Sequence, residues 1–388
     1  MKALTFIWKH KASRAVALLF LCNGFFFGSW AIRIPEVKEF FSLSEQSLGL
    51  VLLSIAIGSL CIMPFMGKLS KRFGAGKISL VLSFLFATFL PLPLLVAEIS
   101  SLVLILFFMG ISLAGMDIAM NICAAVIEEK EEARIMSAFH GCWSTGMMLG
   151  SGIGSIGKGA EIPYFEYMIM VATLFTTLIF IQRKHLIKLV EEAPPEEEAI
   201  FALPGKSLLV LAIVALFSFL AEGAIADWST LYMEKSLMSD LYLVGWALAA
   251  FELSMAIGRF FGDELTEKIG PLRILIGGNL LVAASIGGLL MLSNTWIAIL
   301  GFGIAGIGFS VIVPVIFSEA AKTPGMSTGG NMTAIGSVGY FGFLLGPPVI
   351  GFVAEALSLP QALGLLALVS LLSALLVRFA WKPAASKS

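Results

Sequence analysis

"AVALLFLCNGFFFGSWAIRIP", residues 15–35, decides how the rest of the chain is read. It carries no charge from Ala15 to Ile32, then meets Arg33 and Pro35. A helix rising 1.5 Å per residue needs about 20 residues to cross roughly 30 Å of hydrocarbon. This run is long enough. It is too long for the apolar core of a signal peptide, and no small-residue cleavage site follows, so it is expected to stay as a first membrane helix. Pro35 marks the expected helix end, because the residue before a proline prefers extended backbone.

Composition extends that reading to the whole chain. Of its 388 residues, 58% are hydrophobic and 13% charged. A soluble domain carries about 25% charge to wet its surface. Much of this exterior must therefore face lipid, and the bilayer is the first expected partner. The net charge of -1 argues against a nucleic-acid partner, which would demand a basic face. Cys22, Cys61, Cys123 and Cys142 lie in apolar stretches without metal-ligand spacing, so they read as small buried residues. No metal and no cofactor is expected.

Twelve apolar runs of crossing length follow one another: 15–35, 47–66, 78–97, 101–127, 135–157, 164–182, 207–231, 241–260, 273–292, 296–317, 330–353 and 358–378. The boundary between the ninth and tenth falls inside an uncharged stretch and is placed at Ser293–Thr295, where three polar residues can turn. Twelve crossings put both termini on one side. All but four of the 25 lysines and arginines then fall on that side; Arg33, Lys38, Lys158 and Lys235 fall on the other. The positive-inside rule makes the basic side cytoplasmic. The fold class expected is all-α integral membrane, with cytoplasmic termini.

The chain reads as two halves, 1–182 and 207–388, joined by the charged cytoplasmic linker 183–206. Asn23-Gly24 aligns with Glu222-Gly223 in the first helix of each half. "LSKRFG" (69–74) aligns with "LTEKIG" (265–270) after the second, and "GMMLGSGIG" (146–154) with "GFLLGPPVIG" (342–351) in the fifth. These are six-helix pseudo-repeats in parallel orientation, an arrangement in which transporters hold substrate between the halves near mid-membrane.

"GKLSKRFGAGK" (67–77) resembles the loop signature of the major facilitator superfamily, although Lys71 stands where that signature has an aspartate. The second copy keeps an acid, Glu267, preceded by "GRFFGD" (258–263). Within the superfamily, "WAIRIP", "FHG" (139–141), "AEGAIADW" (221–228) and "GYFGFLLGPPVIG" (339–351) resemble the YbjJ-type inner-membrane proteins, distant relatives of fucose permease. The resemblance covers nearly the whole chain. It implies the major facilitator fold, with twelve transmembrane helices and transport by alternating access, and it leaves the substrate unnamed.

An ionised side chain at mid-bilayer costs about 2.5–3.5 kcal/mol on insertion scales, so each one asks for a reason. Glu222 sits well inside the seventh run and pairs through the repeat with Asn23. Since the family's first helix in each half lines the path, the two are candidates for the substrate cavity, and Glu222 for the proton site; the alternative is a structural hydrogen bond between halves. Asp117 and Asn121 are spaced i, i+4 and share a face. His140, with an ordinary pKa of about 6.5 for its type, can join Asp117 in a proton relay or can donate to a carbonyl and stay neutral. Glu252 falls near mid-membrane and is a further cavity candidate. Arg33 and Asp227 stand at matching heights and form a candidate outer gate. Arg33 can equally attract an anionic substrate, or snorkel as an interfacial anchor. Trp30 and Trp228 flank them, either as belt tryptophans or as a stacking platform in the cavity. Arg259 and Asp263 are the candidate cytoplasmic latch, as in similar loops of the family. Gly146, Gly150 and Gly154, spaced in fours, permit close helix contact.

No phosphate loop, metal cluster or nucleophile elbow is present in the sequence, so an enzyme is not expected. The expected function is a monomeric secondary transporter of a small polar solute in the cell inner membrane, coupled to protons. The alternatives are an efflux antiporter for amphipathic compounds, against which the fifth helix counts because "GSGIG" lacks the drug-antiporter proline, and a non-transporting membrane sensor.

Overall fold

The computed structural model describes residues 2–131, 135–187, 203–323 and 327–381, leaving out the side chains of 2–5, 260, 263, 328 and 329. Among the described residues the chain is helical throughout, and it divides into two compact units. The first comprises Met1–Leu43, Val51–Glu196 and Asp240–Gly245; the second comprises Ser44–Leu50, Glu197–Ser239 and Trp246–Ser388.

A short helix α1 (Lys2–Lys9) comes first, followed by α2 (Lys11–Phe40), α3 (Glu45–Phe73), α4 (Ala75–Phe89), α5 (Ile99–Glu131), α6 (Met136–Gly159) and α7 (Tyr164–Leu186). Then come α8 (Leu209–Leu231), extended by a π-helical turn at Tyr232–Ser236, α9 (Trp246–Ile269), α10 (Pro271–Met291), α11 (Thr295–Lys322), α12 (Thr328–Ala356) and α13 (Leu359–Ala380). Twelve described helices thus match the twelve runs. Ten of these segments are long and apolar enough to cross a membrane. The two that are not, α6 and α9, are diluted by glycine and serine in one case and by the charged end "GRFFGDELTEKI" in the other. Large apolar side chains point outward along the spans, Val81 at 62%, Ile181 at 61% and Leu300 at 66% exposure, as a lipid-facing wall requires. The protein is a multi-pass membrane protein.

Each unit repeats one packing scheme. In the first, α2 packs on α6 and α7, and α4 on α5 and α7. In the second, α8 packs on α12 and α13, and α10 on α11 and α13. The chain turns into the third helix of each half at Gly74 (φ 87°) and Gly270 (φ 90°), a left-handed conformation that glycine adopts without a Cβ clash. The α2–α6 seam rests on glycines from both sides. A Cβ at Gly24 would strike the Trp143 carbonyl, and one at Gly146 the Leu21 carbonyl. Lipid supplies no hydrophobic drive between helices, so such small residues set how closely backbones approach.

Two expectations need correction. Pro35 does not end its helix: α2 runs through it to Phe40, and Glu36 on the following turn reaches back to Arg33. Proline is tolerated inside membrane helices where neighbouring groups restore the lost bonding. The linker expectation also shortens, because α7 carries residues 183–186 as helix; residues 188–202 lie outside the described residues. The turn between the ninth and tenth runs falls beside Ser293–Thr295. There Asn294 caps α11 by accepting from the Trp296 and Ile297 amides.

Candidate functional site

In the first unit the candidates Asn23, Asn121 and Arg33 each have hydrogen-bond partners within the unit. Asn23 on α2 is 1% exposed. Its Oδ1 accepts from Trp143 Nε1 on α6 at 2.9 Å, and its Nδ2 donates to the Leu113 carbonyl on α5 at 3.4 Å. The carboxamide therefore ties three helices of its own unit together. On α5, Asn121 Nδ2 donates to the Asp117 carbonyl at 2.9 Å and to Asp117 Oδ1 at 3.3 Å, so the i, i+4 face is real. His140, half-buried, packs edge-on against Phe20 of α2 at 5.3 Å between ring centroids.

Arg33 is 2% exposed and does not snorkel. Its Nη1 donates to Glu36 Oε1 at 2.8 Å and Oε2 at 3.1 Å, and its Nη2 donates to the Ile162 carbonyl at 3.0 Å. The guanidinium lies over the Tyr167 ring at 4.8 Å, and the Tyr167 hydroxyl bonds Ser29 at 3.3 Å. Lys158, 6% exposed, brings its Nζ to 3.7 Å from Glu36. Two buried cations thus share one carboxylate. The sequence reading singled out Arg33 alone; Glu36, Tyr167 and Lys158 were missed because their convergence joins α2, α6 and α7.

The second unit is different. Along α8, Ser218, Glu222 and Ser229 follow at i, i+4 and i+11 and so share one face. Each has a buried side-chain oxygen with no hydrogen-bond partner among the described residues: Ser218 Oγ, Glu222 Oε1 and Ser229 Oγ. Helical hydroxyls in apolar surroundings usually turn back to the preceding turn. Ser79, Ser83, Ser112 and Ser151 of this chain do so, but Ser218 and Ser229 do not. Leaving a buried polar group unbonded costs about 1–3 kcal/mol, so these three oxygens have bonding capacity that the described residues do not use.

The repeat explains why Glu222 differs from Asn23. Gly24 approaches α6 at Trp143, and Gly223 approaches α12 at Phe343. Matching Gly146–Gly150 with Gly342–Gly346 puts Gly339 in the place of Trp143. No indole is there to donate, and Phe219 fills the space against Gly339. The positive charge of Arg259, about 20 Å of rise into α9, acts on Glu222. The expected latch partner of Arg259, Asp263, has a side chain outside the described residues.

Asp227 (9% exposed) and Glu252 (4%) are buried on α8 and α9. Trp30 and Trp228 are fully buried, which removes the lipid-belt alternative for both. Their indole Nε1 atoms have no hydrogen-bond partner among the described residues. No group of three or more metal-ligating side chains occurs among the described residues.

A family model described as Major Facilitator Superfamily matches residues 16–235 and 211–388. The chain is 33% identical over 352 residues to the membrane protein MosC of Rhizobium meliloti, covering 90% of this chain and 85% of that one. It is 30% identical over 354 residues to an uncharacterized MFS-type transporter of Yersinia pestis, covering 91% and 92%. Among solved structures, the nucleoside transporter NupG superposes with a TM-score of 0.71 at 14% identity, covering 96% of this chain and all of that one.

Proposed function

The chain belongs to the Major Facilitator Superfamily, and on that footing we propose that it moves a small polar solute across the cell inner membrane by alternating access, coupled to protons. It acts as a monomer with both termini in the cytoplasm. The observation that carries the reading is the contrast between Asn23 and Glu222. The first unit's central amide is spent on its own helices. The matching carboxylate of the second unit keeps a buried oxygen without a hydrogen bond.

A low-dielectric setting penalises the charged form of any carboxylate, so such a group can take a proton on one side of the membrane and give it up on the other. Ser218 and Ser229 on the same face supply donor and acceptor capacity for a hydroxylated or amine-bearing solute. Arg259 provides a compensating charge when Glu222 is ionised. Asp117 is the second candidate proton site, with His140 as its relay partner. Trp30, Trp228, Asn121 and Glu252 are carried as cavity candidates, and Arg33, Asp227, Arg259 and Asp263 as gating candidates.

A thermal-shift screen over sugars, nucleosides, peptides and organic acids finds the solute, since a ligand at 100 times its dissociation constant adds about 2.7 kcal/mol. With that solute in proteoliposomes, Glu222→Gln should keep counterflow exchange and lose accumulation driven by a pH gradient. Glutamine preserves shape and hydrogen bonding but cannot titrate. Accumulation by the variant at the wild-type rate removes Glu222 as the proton site and moves the assignment to Asp117.

A further inference from the structure

The stretch before the first membrane helix carries a second feature. Residues 1–35 contain Lys2, Lys9, Lys11, Arg14 and Arg33 and no acidic residue; the first acid is Glu36. Lys2–Lys9 forms a helix of its own, separated from α2 by one residue, His10, whose backbone is extended (φ -98°, ψ 121°). That break turns α1 away from the axis of α2.

One face of α1 is fastened to the first unit. Ile7 is 4% exposed, and Phe6 stacks on the His10 ring at 5.5 Å. His10 Nδ1 meets Ser13 Oγ at 3.0 Å, and its Nε2 lies 3.3 Å from Glu131 Oε1 at the end of α5. The other face is open. Trp8 is 72% exposed, and Lys9, Lys11 and Arg14 are exposed around it. Two acids at the same end are engaged elsewhere: Glu131 by His10, and Glu128 by the Met136 amide at the start of α6, 2.7 Å away. The three exposed cations Lys9, Lys11 and Arg14 have no acid in their own stretch of chain, where the first carboxylate is Glu36.

We propose that α1 is an interfacial helix, and that Trp8 and Lys9 of α1 together with Lys11 and Arg14 in the first turn of α2 dock on anionic phospholipid headgroups. An amphipathic indole ring flanked by lysines suits headgroup depth, where its apolar body leaves water while its N–H stays hydrated. The charge pattern selects the lipid, because a basic segment gains from an anionic surface and gains nothing from a zwitterionic one. The inference does not depend on which solute is carried or on proton coupling.

The test uses the full chain reconstituted in two kinds of vesicle, phosphatidylcholine alone and phosphatidylcholine mixed with phosphatidylglycerol. Acrylamide quenching of tryptophan is measured for the wild type and for Trp8→Phe, and the difference isolates Trp8. In the mixed vesicles Trp8 should be shielded; in the neutral vesicles it should be open to quencher. Each basic residue at an anionic surface contributes a factor of about five, so the triple variant K9Q/K11Q/R14Q should weaken docking about 100-fold and abolish the shielding. Three outcomes would overturn the proposal. They are equal quenching in both vesicles, shielding that survives the triple substitution, and shielding that depends on protein concentration in detergent, which would indicate a second copy.

Discussion

Trp143 donates its indole hydrogen to Asn23 across 2.9 Å, joining α6 to α2 at the centre of the first unit. The repeat puts glycine, Gly339, where a second such donor would stand. One half therefore bonds its polar residue within itself, whereas in the other Glu222 Oε1 has no hydrogen-bond partner among the described residues. This division of labour leads to the first prediction.

Trp143→Phe keeps an aromatic ring but is smaller and removes the donor, leaving Asn23 Oδ1 without its indole partner. It should destabilise the protein by about 1–3 kcal/mol. Solute binding should remain intact, because the lost bond is internal to the first unit. Unfolding by denaturant in detergent checks this, and an unchanged midpoint would count against a structural role.

Ser218→Ala and Ser229→Ala should behave in the opposite way. Neither hydroxyl has a protein partner to lose, so stability should stay within about 0.5 kcal/mol of the wild type or rise. Transport should suffer, with a higher apparent KM, if the stripe meets solute. Ser79→Ala, which deletes a hydroxyl already bonded to the Ala75 carbonyl, is the control and should leave transport unchanged. Wild-type kinetics in both α8 variants would remove the stripe from the path.

The Arg33–Glu36–Lys158 cluster of the first unit should be most sensitive at Glu36. Glu36→Gln leaves Arg33 buried without an opposite charge and deprives nearby Lys158 as well. Removing one partner of a buried pair costs about 3–5 kcal/mol. Arg33→Gln should cost less, because Glu36 then still faces Lys158. In the double variant the losses should fall well short of their sum, and strict additivity would show that the two side chains are not coupled.

The glycine seam predicts a sharp positional contrast. Gly24→Ala places a methyl group against the Trp143 carbonyl, a backbone atom that cannot rotate away. Forced overpacking of this kind costs about 1–3 kcal/mol or more. Gly67→Ala, inside α3 with open space where its Cβ would stand, should instead gain up to about 1 kcal/mol from better helix propensity. Equal thermal stabilities for the two variants would mean that the α2–α6 seam is not close-packed.

The sequence by itself determined the membrane class, the twelve spans and the paired halves. Each of these rests on local composition: apolar runs of crossing length, alternating loop charge, and short motifs repeated in order. Such features need no knowledge of neighbours, because the bilayer imposes the same demand on every span. Even the i, i+4 pairing of Asp117 with Asn121 follows from helix geometry alone.

What only the tertiary structure decided is which polar group each candidate meets. Arg33 read as a candidate outer gate, with substrate attraction and a snorkelling anchor as alternatives; the structure shows it buried, because α6 and α7 bring Lys158, the Ile162 carbonyl and Tyr167 around it while Glu36 folds back from the same helix. Pro35 read as a terminus and lies inside the helix, which runs on to Phe40. Asn23 and Glu222 read as equivalent, and they differ because Asn23 meets the Trp143 indole, whereas the aligned position of the other half is Gly339, which carries no donor. Hydrogen-bond partners more than a hundred residues apart leave no local periodicity. They are set by which helices the glycine seams draw together, and that is a property of the packed unit.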